Sequence, residues 1–382
     1  MSGAIARVLV IGGYGNFGGY VARRLAGDTN IQLLIGGRSQ AKADAAAARL
    51  GAVNPAEGVA LDIGGDLAAR LAEIAPDIVL HTTGPFQAQD HRVARAAIAA
   101  RAHYIDLADA RDFVASIGAL DAEAKAAGVA VIAGASSVPC LTAAILDAYR
   151  PRFARLARVE YGISAAQQTN RGLGTAAAIL SYVGQPFTQL RGGRQRRVFG
   201  WQGLRARRYP ELGTRLFGYC DIPDLALFPA RYPELENLSF VAGHEIKLLH
   251  LGTWALSWLV RFRLIRSLAP YAGRLLRLSF WFDPLGSGRS GFHMTMRGTG
   301  IDGAPLEHRY HIIARSAHGP NIPCIPLILL ARKLARGEGI APGARPCLDL
   351  LDLDTLIAAL RGLDISIYAN GAETRLDRPA RA

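Results

Sequence analysis

Residues 7–18 read Arg-Val-Leu-Val-Ile-Gly-Gly-Tyr-Gly-Asn-Phe-Gly, and this stretch decides the fold. Its apolar half predicts a β-strand, and the motif Gly13-x-Gly15-x-x-Gly18 opens an amphipathic segment that continues to Leu25. Glycine suits such a turn because the backbone must approach a pyrophosphate and let a helix pack closely on the strand. The anion then binds N–H groups at the positive end of the helix dipole. We predict that Gly13, Gly15 and Gly18 hold the pyrophosphate and that the intervening Tyr14, Asn16 and Phe17 contact the same dinucleotide.

The same alternation of short apolar segments and alanine-rich segments continues to about residue 135. Glycine or polar residues bound the apolar segments, and the segments between them have helical periodicity. This pattern predicts βαβ units and a parallel sheet with helices on both faces, a doubly wound Rossmann sheet over residues 1–145. The further predicted strands are IQLLIGGR (31–38), GVALDI (58–63), DIVLHTTG (77–84), HYIDLAD (103–109) and VAVIAG (129–134).

After Cys140 the pattern changes, and residues 146–382 predict a second, α+β domain for substrate binding or oligomerisation. Alternating apolar residues predict antiparallel strands with one solvated face. These strands are RVEYGISA (158–165), Leu276–Phe282, Gly291–Gly298 and Arg309–Ala314. Helices are predicted at Leu141–Tyr149, Pro323–Arg336 and Asp352–Leu363, and we expect the last two to pack back on the Rossmann domain.

Composition excludes several classes of protein. A chain of 382 residues, half of them hydrophobic and a fifth charged, is not a disordered, collagenous or coiled-coil protein. The four cysteines form no CxxC pair and no secretory signal is apparent, which predicts a reduced, cytoplasmic protein. The charge-free apolar stretch Leu251–Val260 is too short to span a bilayer. The sequence has no Tyr-x-x-x-Lys pair, Walker A loop or HExxH motif, and no metal site is expected.

The end of the second predicted strand indicates which dinucleotide binds. An NAD site places a carboxylate there to accept a hydrogen bond from the ribose 2′-hydroxyl, whereas this chain has Gly36-Gly37-Arg38-Ser39. The charges of Arg38 and Lys42 and the hydroxyl of Ser39 suit a 2′-phosphate, so we expect NADP rather than NAD. Asp62 has two open roles, a hydrogen bond to the adenine amino group or an N-cap for the following helix.

Five segments resemble the saccharopine dehydrogenase-like family. They are GGYGNFGG (12–19), Gly36-Gly37-Arg38-Ser39, HTTGPF (81–86), HYIDLAD (103–109) and the turn Gly134-Ala135-Ser136-Ser137-Val138-Pro139. The resemblance covers residues 1–150, and the segment HIIARSAHGPNIPCIPLILLARKLARG (311–337) is similar to that family's penultimate strand and helix. It implies an NAD(P)-dependent oxidoreductase whose substrates range from imines derived from amino acids to lipid-like unsaturated compounds. It also places four residues beside the pyrophosphate and nicotinamide: Thr83, Gly84, Pro85 and Phe86.

Three side chains are candidates for catalysis, each with a structural alternative. Cys140 follows Pro139 at a predicted helix start, where the helix dipole lowers a thiol pKa, although free cysteine is more often a core residue. Asp106 ends the fifth predicted strand. It either orients substrate or polarises a donor, or it caps the next helix. His318 precedes a helix start where an anionic substrate group could bind, although a structural histidine is the commoner case.

The net charge of +13 comes from the second half of the chain. Arginine and tryptophan alternate with leucine over residues 251–282, which favours membrane-surface contact or a dimer helix with an arginine rim and leaves both open. Nucleic acid is not expected as a partner, because RNP-type motifs are lacking.

The sequence therefore predicts NADP-dependent hydride transfer to or from a C=N, C=C or C=O bond of a small-molecule substrate, with lipid-like compounds among the candidates. Two alternatives stay open. One is a semialdehyde or acyl dehydrogenase that depends on Cys140, and the other is a non-catalytic NADP-binding protein at lipid surfaces.

Overall fold

A seven-stranded parallel sheet forms the centre of the first of two structural units. The computed structural model describes residues 5–376, and this unit comprises the described residues up to Ala144 together with Asn321–Ala359. Its strands are β1 (Ala6–Ile11), β2 (Ile31–Gly37), β3 (Glu57–Ala60), β4 (Ile78–His81), β5 (His103–Asp106), β6 (Ala130–Ala133) and β15 (Gly343–Pro346). They lie in the order β15-β6-β5-β4-β1-β2-β3. The chain order reverses between the neighbours β1 and β4, which is the point where a Rossmann sheet binds its ligand.

Helices connect these strands. They are α1 (Asn16–Leu25), α2 (Gln40–Ala48), α3 (Leu67–Ile74), α4 (Arg92–Ala99), α5 (Arg111–Ala115), α6 (Asp121–Ala127), α12 (Cys324–Ala335) and α13 (Leu353–Ala359). A further helix, α7 (Thr142–Tyr149), contains the boundary between the units. Leu327 and Ile328 of α12 lie in one buried cluster with Val8 and Val10 of β1, so burial of apolar surface holds this late segment on the Rossmann sheet.

The second unit comprises Ile145–Pro320 and the described residues from Leu360 onward. Its eight-stranded sheet has the order β10-β11-β12-β7-β13-β14-β16-β17, in which only β12 and β7 pair in parallel. The strands are β7 (Phe153–Ala165), β10 (Arg205–Tyr209), β11 (Gly213–Tyr219), β12 (Asn237–His244), β13 (Ser290–Gly300), β14 (Pro305–Ala314), β16 (Ile365–Ala369) and β17 (Ala372–Arg375). A hairpin joins β8 (Pro186–Arg191) to β9 (Arg194–Phe199). The helices are α8 (Leu173–Tyr182), α9 (Asp224–Arg231), α10 (Lys247–Arg261) and α11 (Ala272–Phe280).

The predicted fold class, a Rossmann sheet with a second α+β unit, is confirmed. One predicted strand is wrong, because most of Leu276–Phe282 belongs to α11. The apolar residues alternate over this short segment, but the exposed residues around it recur at the three- and four-residue spacing of a helix face. These exposed residues are Arg274, Arg277, Leu278 and Trp281.

Within residues 5–376 no helix combines the length and the apolar character needed to cross a membrane.

Candidate functional site

The glycine turn joins β1 to α1 at the predicted position. Gly15 is the N-cap of α1, and its N–H donates to the carbonyl oxygen of Gly12 at 2.8 Å. A Cβ on Gly18 would overlap this carbonyl and lie 2.6 Å from Oγ1 of Thr82, so only glycine lets the helix start so close to the sheet. The first N–H groups of α1 have no acceptor within the helix and lie at its positive end. The turn therefore has the geometry of an anion-binding site.

The segment after β4 lies beside this turn. The N–H and the hydroxyl of Thr82 both donate to the carbonyl of Ile11, at 3.1 and 2.8 Å. The hydroxyl of Thr83 lies 2.7 Å from the position that a Cβ on Gly12 would take. The structure thus brings Thr83 and the glycine turn together, as the family resemblance implies.

The turn through Gly84 and Pro85 is held by a side-chain amide and is anchored by a buried ring. Nε2 of Gln89 donates to the carbonyls of Thr83 and Pro85, at 2.6 and 3.1 Å. The Phe86 ring is buried and packs on His81 and Phe113. Its side chain therefore belongs to the core, and at this position only the main chain is available to a ligand.

A cleft of about 370 Å³ opens between α1 and α2. Three basic residues and no acidic residue line it, together with Tyr14 and small or apolar residues. Its lining residues are Gly13, Tyr14, Gly15, Gly19, Arg23, Ile35, Lys42, Ala45, Ala46, Arg49 and Leu50. The contributions of Arg23 and Arg49 were not predicted. The spacing of four residues from Gly15 to Gly19 to Arg23 could have identified Arg23, since it places the three on one helix face.

The residues predicted for the 2′-phosphate lie where β2 passes into α2. Ser39 is the N-cap of α2, and its hydroxyl accepts a hydrogen bond from the N–H of Lys42 at 3.4 Å. The N–H of Ser39 donates to the hydroxyl of Tyr14 at 3.3 Å. Arg38 is exposed and forms no ion pair with any residue in the described range 5–376. A guanidinium, a hydroxyl and a helix N-terminus thus meet at the end of β2.

Asp62 is not a helix cap, so that alternative is wrong. The N-cap of α3 is Asp66, whose carboxylate accepts from the N–H of Ala69. Asp62 is exposed, and its Oδ1 accepts from the N–H of Gly64 at 3.0 Å within a turn. The turn occupies one of its carboxylate oxygens.

Asp106 is fully buried at the end of β5, and it does not cap the next helix, whose N-cap is Ala110. Its Oδ1 accepts from the N–H groups of Ala108 and Gly134, at 2.9 and 2.7 Å, and so ties the ends of β5 and β6 together. Burial raises the pKa of Asp106 to about 7, and the two main-chain donors oppose this rise.

A buried histidine and tyrosine, which the sequence analysis did not single out, lie next to Asp106. Nδ1 of His81 lies 2.9 Å from the hydroxyl of Tyr104, and this tyrosine interacts in turn with Asp106. Burial lowers the pKa of His81 to about 3, so its imidazole is neutral at physiological pH. The signal in the sequence is positional, since His81 and Asp106 end neighbouring parallel strands.

The other two catalytic candidates, Cys140 and His318, have contacts typical of structural residues. Cys140 is 3 % exposed and belongs to the core cluster that also contains Cys347. His318 lies in the second unit, where its Nδ1 accepts from the N–H of Asp364 at 2.8 Å. No group of three or more His, Cys, Asp or Glu side chains within residues 5–376 has the arrangement of a metal site.

Comparison with known proteins finds a family that matches part of the first unit. The family model described as "Saccharopine dehydrogenase NADP binding domain" matches residues 8–132. The apo histidine-tagged saccharopine dehydrogenase (L-Glu forming) from Saccharomyces cerevisiae has a TM-score of 0.66 at 13 % identity, and the match covers 95 % of this chain and 99 % of that chain. The amine dehydrogenase from Mycobacterium smegmatis has a TM-score of 0.46 at 13 % identity over 88 % of this chain and 94 % of that chain, which is too low to support an argument.

No curated protein sequence matches the chain. At 13 % identity the likeness to the yeast enzyme extends to the fold alone. The match over residues 8–132 agrees with the resemblance of the motifs and with the geometry of the glycine turn. These residues are therefore a domain of the saccharopine dehydrogenase-like NADP-binding family.

Proposed function

We propose that the protein is an NADP-dependent oxidoreductase that transfers hydride to or from a C=N, C=C or C=O bond of a small molecule. The observation that carries this proposal is the tight glycine turn, in which a side chain at Gly18 would collide with the Gly12 carbonyl, beside a cleft whose charged lining residues are all basic. Such a turn at a helix N-terminus fits a pyrophosphate, and the basic residues fit further phosphate charge. When bound, NADP would supply the hydride chemistry, and the protein would bind and orient the reactants.

The choice of NADP over NAD rests on the end of β2. Gly37 and Arg38 stand where an NAD site has its carboxylate, and Lys42 lines the cleft nearby. Arg38 and Lys42 would neutralise the 2′-phosphate, and Ser39 would donate to it from the N-terminus of α2. The adjacent Arg23 and Arg49 add to the positive potential that attracts a phosphorylated cofactor.

On the nicotinamide side, Thr83, Gly84 and Pro85 would form the wall against which the ring lies. The fixed turn and its hydrogen bonds from Gln89 would keep this wall rigid. His81 and Asp106 are the last residues of β4 and β5. As positioning residues they would hold this edge of the sheet in place. The Cys140-dependent alternative has less support, because its thiol is packed in the core.

The test compares the dissociation constants of NADPH and NADH for wild type, Arg38→Ala and Lys42→Ala. Loss of one charge-assisted hydrogen bond is expected to weaken NADPH binding about 10- to 100-fold and to leave NADH nearly unchanged. Arg92→Ala is the matched control, since Arg92 is exposed and pairs with Asp90 away from the cleft. Equal losses for both cofactors would overturn the assignment of the 2′-phosphate site.

The reaction itself is tested by NADPH consumption with three substrate panels, namely imines, enoyl compounds and carbonyl compounds. In each case one hydride from NADPH and one proton from solvent reduce the double bond and leave NADP⁺. A product that keeps the isotope label of hydride-labelled NADPH supports the proposal. Tight NADPH binding with no transfer to any panel would leave a cofactor-binding protein and contradict the enzymatic function.

A further inference from the structure

The second unit carries a helical surface with many exposed apolar side chains. We define the α10–α11 surface as Lys247–Leu285, which comprises α10, the connection after it, α11 and the turn that follows. Trp281 is 80 % exposed, and Leu264 and Leu285 are each 73 % exposed. Soluble monomers seldom expose so many large apolar side chains on one segment, and such a surface indicates a docking site.

Apolar side chains lie on the exposed face of α10. Leu248, Leu251 and Ala255 lie on it at the spacing of a helix face, and Phe262 follows directly after the helix, 65 % exposed. The residues that α10 buries are Val260 and two polar ones, His250 and Ser257. A helix on a water-facing surface normally buries its apolar side. Exposure of this apolar face to water raises the free energy of α10, and contact with an apolar phase would lower it.

The parts of this surface belong to one layer. Val260 of α10 and Leu268 of the connection lie in one buried cluster, against which Ile179 of α8 also packs. Leu173 of α8 approaches Gly273 of α11, with its Cδ1 3.9 Å from the position of a Cβ on that glycine. Because α8 contacts both regions, α10 and α11 are held in a fixed relation within this unit.

From Lys247 to Phe282 the charge of the surface is of one sign, and Asp283, the acidic residue at its end, is paired with Arg171. Between Glu245 and Asp283 the chain has no acidic residue, and it has six exposed basic residues. None of the six forms an ion pair with any residue in the described part of the chain. They are Lys247, Arg261, Arg263, Arg266, Arg274 and Arg277.

We infer that the α10–α11 surface docks on an anionic lipid bilayer. Exposed tryptophan, phenylalanine and leucine would enter the boundary between head groups and acyl chains, while the arginines remain at the level of the phosphates. A second copy of the chain is the less suitable occupant, because a two-fold interface would bring this positive surface against itself. Anionic lipids supply the charge that such an interface lacks.

The test measures co-sedimentation of the full chain with vesicles of phosphatidylcholine alone and of phosphatidylcholine with about 30 % phosphatidylserine. One variant, Arg263→Glu/Arg266→Glu/Arg277→Glu, reverses charge on the surface, and a second, Phe262→Ser/Leu264→Ser/Trp281→Ser, removes its apolar side chains. Arg261 is left unchanged because it contacts Gln202 and the ring of Phe199. The control, Arg95→Glu/Arg101→Glu/Arg361→Glu, makes the same change in net charge at exposed residues outside the surface.

We expect wild type and the control to bind the anionic vesicles and both surface variants to bind at least about 10-fold more weakly. Binding of the wild type should also fall at about 0.5 M salt, where charges are screened. NADPH affinity and melting temperature, measured for every variant, verify that each chain is folded. Absence of wild-type binding, or equal loss in the control, would overturn the inference. So would a wild-type dimer that the apolar variant converts to a monomer while vesicle binding persists.

Discussion

The ring of Tyr14 occupies the space that a side chain at Gly37 would need. A Cβ on Gly37 would overlap the ring and lie 2.6 Å from its hydroxyl oxygen. The same hydroxyl accepts the hydrogen bond from the N–H of Ser39. Tyr14 thus connects the glycine turn to the end of β2, and it forms part of the cleft wall.

Gly37→Ala is therefore expected to displace Tyr14 and weaken NADPH binding by about 10-fold, the usual scale of an overpacked contact. A fluorescence titration with NADPH measures the effect. The double variant Tyr14→Ser/Gly37→Ala should bind as well as Tyr14→Ser alone, because the clash is absent. If the double variant is weaker than Tyr14→Ser, steric overlap with the ring is not the cause.

Gly18→Ala should lower both stability and cofactor affinity. The added methyl group would overlap the Gly12 carbonyl and push α1 from the sheet, at a cost of about 1–3 kcal/mol in the free energy of unfolding. The matched control is Gly118→Ala in the same unit, since no atom lies within 4 Å of the added carbon there. Urea unfolding and NADPH titration compare the two variants, and equal effects would contradict the role of Gly18.

Asp106→Ala should destabilise the first unit more than Asp106→Asn. Alanine leaves the buried N–H groups of Ala108 and Gly134 without an acceptor, at about 1–3 kcal/mol each, whereas asparagine keeps the accepting oxygen. Urea unfolding of both variants measures the difference. Similar losses in the two variants would show that the carboxylate oxygen does not hold the strand ends together.

The pKa of Asp106 also predicts a dependence on pH. Burial raises this pKa to about 7, so the folded chain keeps a proton that the unfolded chain releases above about pH 4. Asp106 therefore lowers the free energy of unfolding as pH rises from about 4 to about 7. Asp106→Asn removes this contribution, and the variant should gain stability relative to wild type between about pH 5 and about pH 8. If the difference in the free energy of unfolding between the variant and wild type is the same at both pH values, the raised pKa is contradicted.

His81 acts in the opposite direction. Burial lowers its pKa to about 3, so below about pH 6.5 the unfolded chain binds a proton that the folded chain does not. Stability is therefore lost as pH falls from about 6.5 toward 3. The half-buried His244, whose pKa desolvation also lowers to about 3, contributes in the same way in the second unit. The melting temperatures of wild type and His81→Gln should approach each other as the pH is lowered. A difference in melting temperature that does not depend on pH would refute the proposed cause.

Cys140→Ala should retain hydride transfer and lose about 1 kcal/mol of stability, as expected for a small buried side chain. Because Cys140 is 3 % exposed, iodoacetamide should leave it unmodified in the folded protein. The more exposed Cys220 should react first and provides the internal control. Loss of turnover in the alanine variant, with NADPH binding intact, would instead favour the thiol-dependent dehydrogenase.

The elements that were predicted well are those in which local signals agree. In β1 and α1 the apolar run, the glycine turn and the helical periodicity all lie within twenty-odd neighbouring residues. By contrast, β15 (Gly343–Pro346) has no strand pattern of its own and exists because it pairs with β6, far away in the sequence. In Leu276–Phe282 a short alternation indicated a strand, but the helix period over the longer segment prevailed.

By itself the sequence determined the strand–turn–helix unit, the absence of a carboxylate after β2 and the single sign of charge along α10 and α11. These properties depend on residue type and on spacing along the chain. Only the tertiary structure decided that Tyr14 covers Gly37, that Arg23 and Arg49 join Lys42 in one cleft, and that Asp106 is buried next to Tyr104. Those relations depend on packing between distant segments, which burial of apolar surface selects and no local pattern encodes.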